Sequence, residues 1–239
     1  MAEQEVIKHT KKLFGLWKTN RSIWHKIGDF LLEIFIIIFA ITVSIFFHDR
    51  SVLKHQRHET EEFLLGLKQD LKTDIEEMHQ DKNSYRQSEK AFTYITSRKL
   101  GEPLNPDTIR KYNNWIFNTT GLVANSGRFE GFKSSGKIGT IGNKELQNNI
   151  MDLYQENIPS LINSTNFYTS KKQILFEYVH MNRKRLTDTS SNLVSVLSSD
   201  PAYNICMTLS FVQEILSRYD TCINKMNTII GDINKQYEH

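Results

Sequence analysis

Apolar and polar residues alternate along this chain in three distinct ways, and each predicts a different element. Residues 30 to 47 read FLLEIFIIIFAITVSIFF, an almost unbroken apolar run with only Glu33, Thr42 and Ser44 carrying polar side chains. Eighteen helical residues span about 27 Å, close to the ~30 Å hydrocarbon core of a bilayer, so the run predicts one transmembrane helix. A core helix of a water-soluble domain would keep a polar face, and this run has none. A cleavable signal peptide would have a short basic start and a small-residue exit, whereas 29 residues precede this run and it ends Ile45, Phe46, Phe47, His48.

The second pattern begins past the membrane. Leu64, Leu71, Met78, Tyr85 and Phe92 recur every seven residues, supported by Leu67, Ile75 and Ile95, with no proline and a single glycine, Gly66. One apolar stripe on a long helix over 49–98 is the reading, continuing the membrane helix and projecting about 75 Å. A helix of that length needs partners along its stripe. The third pattern is the most regular. After Asp200 and Pro201, the positions Ile205, Leu209, Val212, Leu216, Tyr219, Ile223, Met226, Ile230 and Ile233 alternate steps of four and three. That spacing predicts one straight helix over 201–236, packed on the first long helix, on a copy of itself, or on both.

Shorter signals fill the interval. Asn105 before Pro106 predicts an N-cap and a helix to about Asn118; Asn143 predicts a cap for a helix over 144–155; and Pro159 opens another toward Arg185. The stretch 121–142 holds six of the eleven glycines and is expected to be mostly turn and loop. Thr187 to Ser199, rich in Ser, Thr and Asp, reads as a loop or ragged helix end. Little in the chain alternates with period two. The fold class is therefore all-α, with a membrane helix leading into a helical bundle or coiled coil and little or no sheet. The expected divisions are a leader at 1–29, the span at 30–47 and an extracytoplasmic domain at 48–239.

Charge orients the chain. The leader carries Lys8, Lys11, Lys12, Lys18, Arg21 and Lys26, with Trp17 and Trp24 as interfacial anchors, while Arg50, Lys54 and Arg57 on the far flank are mixed with Asp49, Glu59, Glu61 and Glu62. The bias places the N-terminus in the cytoplasm and the large C-terminal part outside it, in the periplasm of a two-membrane bacterium. The net charge of +3 comes from 30 basic and 27 acidic residues that are interleaved, which is no footprint for nucleic acid. Glu33, one turn into the span, is the membrane-helix candidate for function or helix pairing.

Gly131 to Lys137 follows the phosphate-loop pattern until Ile138, which stands where a magnesium-binding Ser or Thr is required; no nucleotide is expected. Glu76 with His79, and Glu177 with His180, repeat the Glu-x-x-His spacing of di-iron bundles, but both pairs fall off the apolar stripes and are expected in solvent. His55 and His58 have no further ligand in register. Cys206 and Cys222, 16 residues apart on one expected helix, would be about 24 Å apart and unable to bridge. No catalytic, metal or cofactor residues are assigned.

Two stretches carry a family resemblance. EIFIIIFAITVSIFFHDRSVLKHQRHETEEFLLGLKQDL, from Glu33 to Leu71, and SSGKIGTIGNKELQNNIMDLY, from Ser134 to Tyr154, are similar to an uncharacterised single-pass membrane-protein family of Bacteroidota. That family opens its span with Gly-Glu-Ile and has a central Ser-Ser-Gly-Lys segment. Here Leu32 stands in place of the Gly, and His48, Asp49 and Arg50 replace Asn-Asn-Trp at the membrane exit. The resemblance implies an inner-membrane topology and a bacterial origin, without an activity. The expected function is a non-enzymatic, membrane-anchored interaction or scaffold protein whose partners are the bilayer and a second copy or another membrane protein. Its packing seam is Leu209, Val212, Leu216, Tyr219, Ile223, Met226 and Ile230. The alternative is an extracytoplasmic ligand-binding sensor acting through a separate partner.

Overall fold

The computed structural model describes residues 23–99 and 101–237, and among them it is all-helical without a strand. The leader residues Lys8, Lys11, Lys12, Trp17, Lys18 and Arg21 lie outside the described residues. The chain divides into two units, residues 1–58 and 59–239. Helix α1, Ile23–Thr96, contributes to both.

In the first unit α1 carries the apolar run, and no part of its most apolar 18-residue window is buried by protein. Phe35 is 67% and Phe39 61% exposed, a condition that water would penalise and lipid would not. It is one helix long and apolar enough to cross a membrane. Thr42 returns its hydroxyl to the Ile38 carbonyl at 2.8 Å, which satisfies the donor without a partner outside the helix. Arg50 lies over the Phe46 ring at 5.1 Å, where the apolar run gives way to charge.

The second unit is built on the remainder of α1. Leu64, Leu71, Met78, Tyr85 and Phe92 are buried to 2% exposure or less; each such side chain contributes about 1.5–3 kcal/mol by leaving water. Around this stripe stand α2 (Pro106–Phe117), α3 (Gly127–Ser134), a 3₁₀ turn (Lys137–Thr140), α4 (Lys144–Asp152), a π turn (Leu153–Asn157) and α5 (Ile158–Asn182). Then follow α6 (Leu193–Leu197), α7 (Asp200–Leu209) and α8 (Gln213–Tyr237). Asn105 Oδ1 accepts from the Asp107 and Thr108 amides at 2.8 and 3.1 Å with Pro106 in the first turn, and Asn143 Oδ1 accepts from Glu145 and Leu146 at 3.0 and 3.1 Å. These side chains satisfy amides that open α2 and α4.

Three tyrosines mark the point where α1, α5 and α8 meet. Tyr85 has its ring centroid 5.2 Å from that of Tyr168 and 5.9 Å from that of Tyr219. Each hydroxyl then fastens a different piece of chain: Tyr85 donates to the Thr120 carbonyl at 2.9 Å, Tyr168 to the Leu209 carbonyl at 3.0 Å, and Tyr219 to Asp81 at 2.8 Å. Burial pushes all three phenols above their ordinary pKa.

The structure corrects three expectations. The C-terminal helix expected over 201–236 is two helices, α7 and α8, separated at 210–212. Its periodicity hides the break because Leu209, the last residue before it, and Val212, the last residue within it, are both fully buried. The Leu209 carbonyl, which an unbroken helix would bond to Gln213, accepts from Tyr168 instead, and Ser210 turns its hydroxyl back to the Met207 carbonyl at 2.7 Å. The glycine-rich stretch is also not mainly loop. Phe129 stacks on Tyr154 at 4.4 Å and Phe132 on Phe63 at 3.9 Å, and these two anchors hold α3 as a helix despite its glycines. Only at Gly136, with φ of +74°, does that stretch need glycine's left-handed freedom. Finally, the helices expected at 144–155 and after Pro159 join through the π turn, where the Ile158 amide reaches back to the Leu153 carbonyl.

Candidate functional site

The expected packing seam is occupied by this chain's own helices. Leu209, Val212, Tyr219 and Met226 are fully buried, Leu216 and Ile223 are 6% exposed, and Ile230 packs partly buried against the same core. Helix α8 rests on α4, the π turn and α5. The seam is therefore packed within a single chain.

The other singled-out residues are dispersed. Glu33 is half-buried in the first unit. Gly131 to Ser134 lies within α3, so its amides serve a helix and form no phosphate cradle, and Lys137 pairs with Glu59 at 2.7 Å. Glu76, His79, Glu177, His180, His55 and His58 are exposed, and among the described residues no group of three or more His, Cys, Asp or Glu side chains is arranged to hold a metal. Cys206 and Cys222 fall on different helices because of the break at 210–212, and both are buried free thiols. Burial pushes them up to about 12 and about 11.

Two arrangements were not foreseen from the sequence. The first is a polar register inside the bundle. Thr60, Leu67, Asp74, Asp81, Ser88 and Ile95 recur every seven residues on α1 and all are buried. Its central members bind the last turn of α2 and the connector between α2 and α3 instead of packing as apolar side chains. Asp74 accepts from the Asn125 amide at 3.2 Å and side chain at 2.6 Å; Asp81 accepts from Thr120 Oγ1; Ser88 donates to the Trp115 carbonyl at 3.0 Å. Glu77 and Asp70, flanking this register, accept from the Val123 amide at 2.9 Å and from Arg128 at 2.8 Å. Burial raises the Asp74 pKa, opposed by its bonds to Asn125 and assisted by the negative charges of Glu77 and Asp70. Gly66 belongs to the same contact, since a Cβ there would lie 2.3 Å from the Arg128 guanidinium carbon. The signal was present in the spacing: the register of Leu67 and Ile95 passes through three polar residues.

The second is an exposed apolar lane. On α5, Phe167, Ile174 and Met181 follow at intervals of seven and are 63%, 47% and 83% exposed. Helix α7 runs antiparallel beside α5, a register fixed by Tyr168 to Leu209 and by Tyr178 to Ser199 at 2.8 Å. Tyr203, Met207 and Phe211, 36%, 41% and 76% exposed, stand along that neighbouring stretch. Phe167 and Phe211 bracket a groove of about 400 Å³ whose rim carries Lys171, Glu214 and Arg218. Lys171 covers Phe167 at 5.1 Å, and Arg218 pairs with Glu214 at 2.8 Å.

Comparisons with protein-family models, with curated proteins and with solved structures find no match to this chain.

Proposed function

We propose that the chain is a single-pass inner-membrane protein whose helical domain works by docking, through the α5 lane, onto a second copy of itself, with no catalytic step. In this reading residues 1–29 are cytoplasmic, residues 30–47 cross the bilayer and residues 48–239 are periplasmic. The basic leader supports the orientation.

The observation that carries the reading is the lane of Phe167, Ile174 and Met181 on a domain that buries its other regular stripes. Contiguous exposed apolar surface marks interaction sites on folded domains. A second copy is the occupant because copies anchored in one bilayer meet at raised effective concentration, and because the lane is flanked by both signs of charge, Lys171 and Glu177.

A photo-reactive residue at Ile174, activated in native membranes, tests it. The reading predicts an adduct of twice the chain's mass containing two copies. An adduct with a different protein replaces the partner, and no adduct removes the lane as a docking face.

A further inference from the structure

Lys172 on α5 is 4% exposed, and among the described residues no carboxylate pairs with its ammonium. Nζ donates to the Trp115 carbonyl at 2.7 Å and to the Asn118 carbonyl, with Ser88 Oγ at 3.5 Å and the Phe92 ring at 5.7 Å. These contacts place the cation at the C-terminal end of α2, where it terminates carbonyls that the helix leaves open and meets the negative end of the helix dipole. Burial alone moves its pKa, down to about 8, with no charged neighbour contributing.

A capping role accounts for the lysine and not for the space next to it. A cavity of about 190 Å³ opens there, walled by α1, by the end of α2 with its connector, and by α5. Among the described residues its lining is made of hydroxyl, amide and aromatic side chains, with no acidic residue and with Lys172 as the single charged group. Ser84, Thr119 and Thr169 line it, and their hydroxyls make no hydrogen bond to another described residue. The acid at its edge, Asp81, is engaged by Thr120 Oγ1 and by the Tyr219 hydroxyl, and a cation without a carboxylate partner beside uncommitted hydroxyl donors favours negative charge.

We propose that this cavity binds a small oxyanion, a carboxylate or a phosphate, held by the charge of Lys172 and by the hydroxyls of Ser84, Thr119 and Thr169. Drug-sized ligands occupy about 300–1,000 Å³, so the volume admits a small anion and excludes a nucleotide or a peptide. The site uses none of the lane residues and stands whether or not the docking reading does.

The test uses the full chain in detergent at pH 7, titrated with sodium acetate and, separately, with sodium phosphate, with sodium chloride as the ionic-strength control. Thermal unfolding and calorimetry are the readouts. The proposal predicts a saturable rise in Tm and saturable heat with at least one of the oxyanions and neither with chloride; the responding salt distinguishes a carboxylate site from a phosphate site. The double variant S84A/T169V keeps Lys172 and its carbonyl contacts, and is expected to fold and to bind at least ten-fold more weakly. Lys172→Met is expected to abolish binding, but it also removes the cap of α2, so the double variant decides. Saturation by neither oxyanion, or unchanged affinity in S84A/T169V, overturns the proposal.

Discussion

The hydroxyl of Tyr168 on α5 donates at 3.0 Å to the carbonyl of Leu209, the last residue of α7, and thereby fixes the place where the C-terminal heptads change helix. That bond is buried, and without it the Leu209 carbonyl would be left unpaired among apolar side chains. Tyr168→Phe removes the donor while keeping the ring that packs on Tyr85. The expected loss is about 1–3 kcal/mol of unfolding free energy, measured by denaturant titration. Amide exchange should accelerate first at 210–213. An unchanged exchange pattern would mean that the break is held by other contacts.

The seam and the lane are predicted to respond oppositely to charge. Leu216→Asp or Ile223→Asp puts a carboxylate into the core of a single chain, at a cost above ~4 kcal/mol, which is comparable to the whole stability of many domains. Circular dichroism should report loss of helix. Phe167→Asp or Met181→Asp, on exposed positions, should leave the melting curve within a few degrees and abolish the cross-link from position 174. If the seam variants keep their helix and lose only assembly, the seam is intermolecular after all.

Lys172 gives a stability profile whose sign follows from its lowered pKa. The unfolded lysine titrates near 10.5 and the folded one near 8, so between those values the unfolded chain binds the additional proton. Stability from this group therefore rises with pH across about 8 to 10.5, and its burial cost is fully present below 8. The titratable groups that line the cavity with it are Tyr85 on α1 and Tyr168 on α5, both held neutral by burial throughout that window. Relative to Lys172→Met, the native chain should gain up to about 3 kcal/mol over the interval. A flat difference between the two would place the ammonium in contact with water or with an anion.

Both cysteines should be silent in the native fold. Their thiols are buried and pushed up to about 12 and about 11, so the reactive thiolate is scarce at neutral pH. A maleimide or iodoacetamide pulse at pH 7 should label neither Cys206 nor Cys222 until denaturant is added. Rapid labelling of either one in the folded protein would contradict its placement.

Much of the fold was legible in the sequence because it depends on local or periodic features. The caps at Asn105 and Asn143 act within one turn, and the stripe from Leu64 to Phe92 records one buried face. What could not be read depends on residues distant in the chain. The break at 210–212 keeps the heptad phase, so only the partner of the Leu209 carbonyl reveals it. Helix α3 is held by stacking on Phe63 and Tyr154, which outweighs its glycine content. The burial of Asp74, Asp81 and Ser88 depends on the end of α2 and the connector after it, which these side chains bind. Spacing likewise identified an apolar seam on the last helix without identifying what fills it, and Lys172, a lysine between Tyr168 and Leu175, gave no sign of its burial.

The anchoring of the chain by residues 30–47 is the premise on which topology, orientation and docking all rest. Membranes from cells making the full chain, washed in alkaline carbonate and sedimented, test it directly. The account predicts that the intact protein stays in the pellet and is released only by detergent. Recovery of the intact chain in the carbonate supernatant would contradict it.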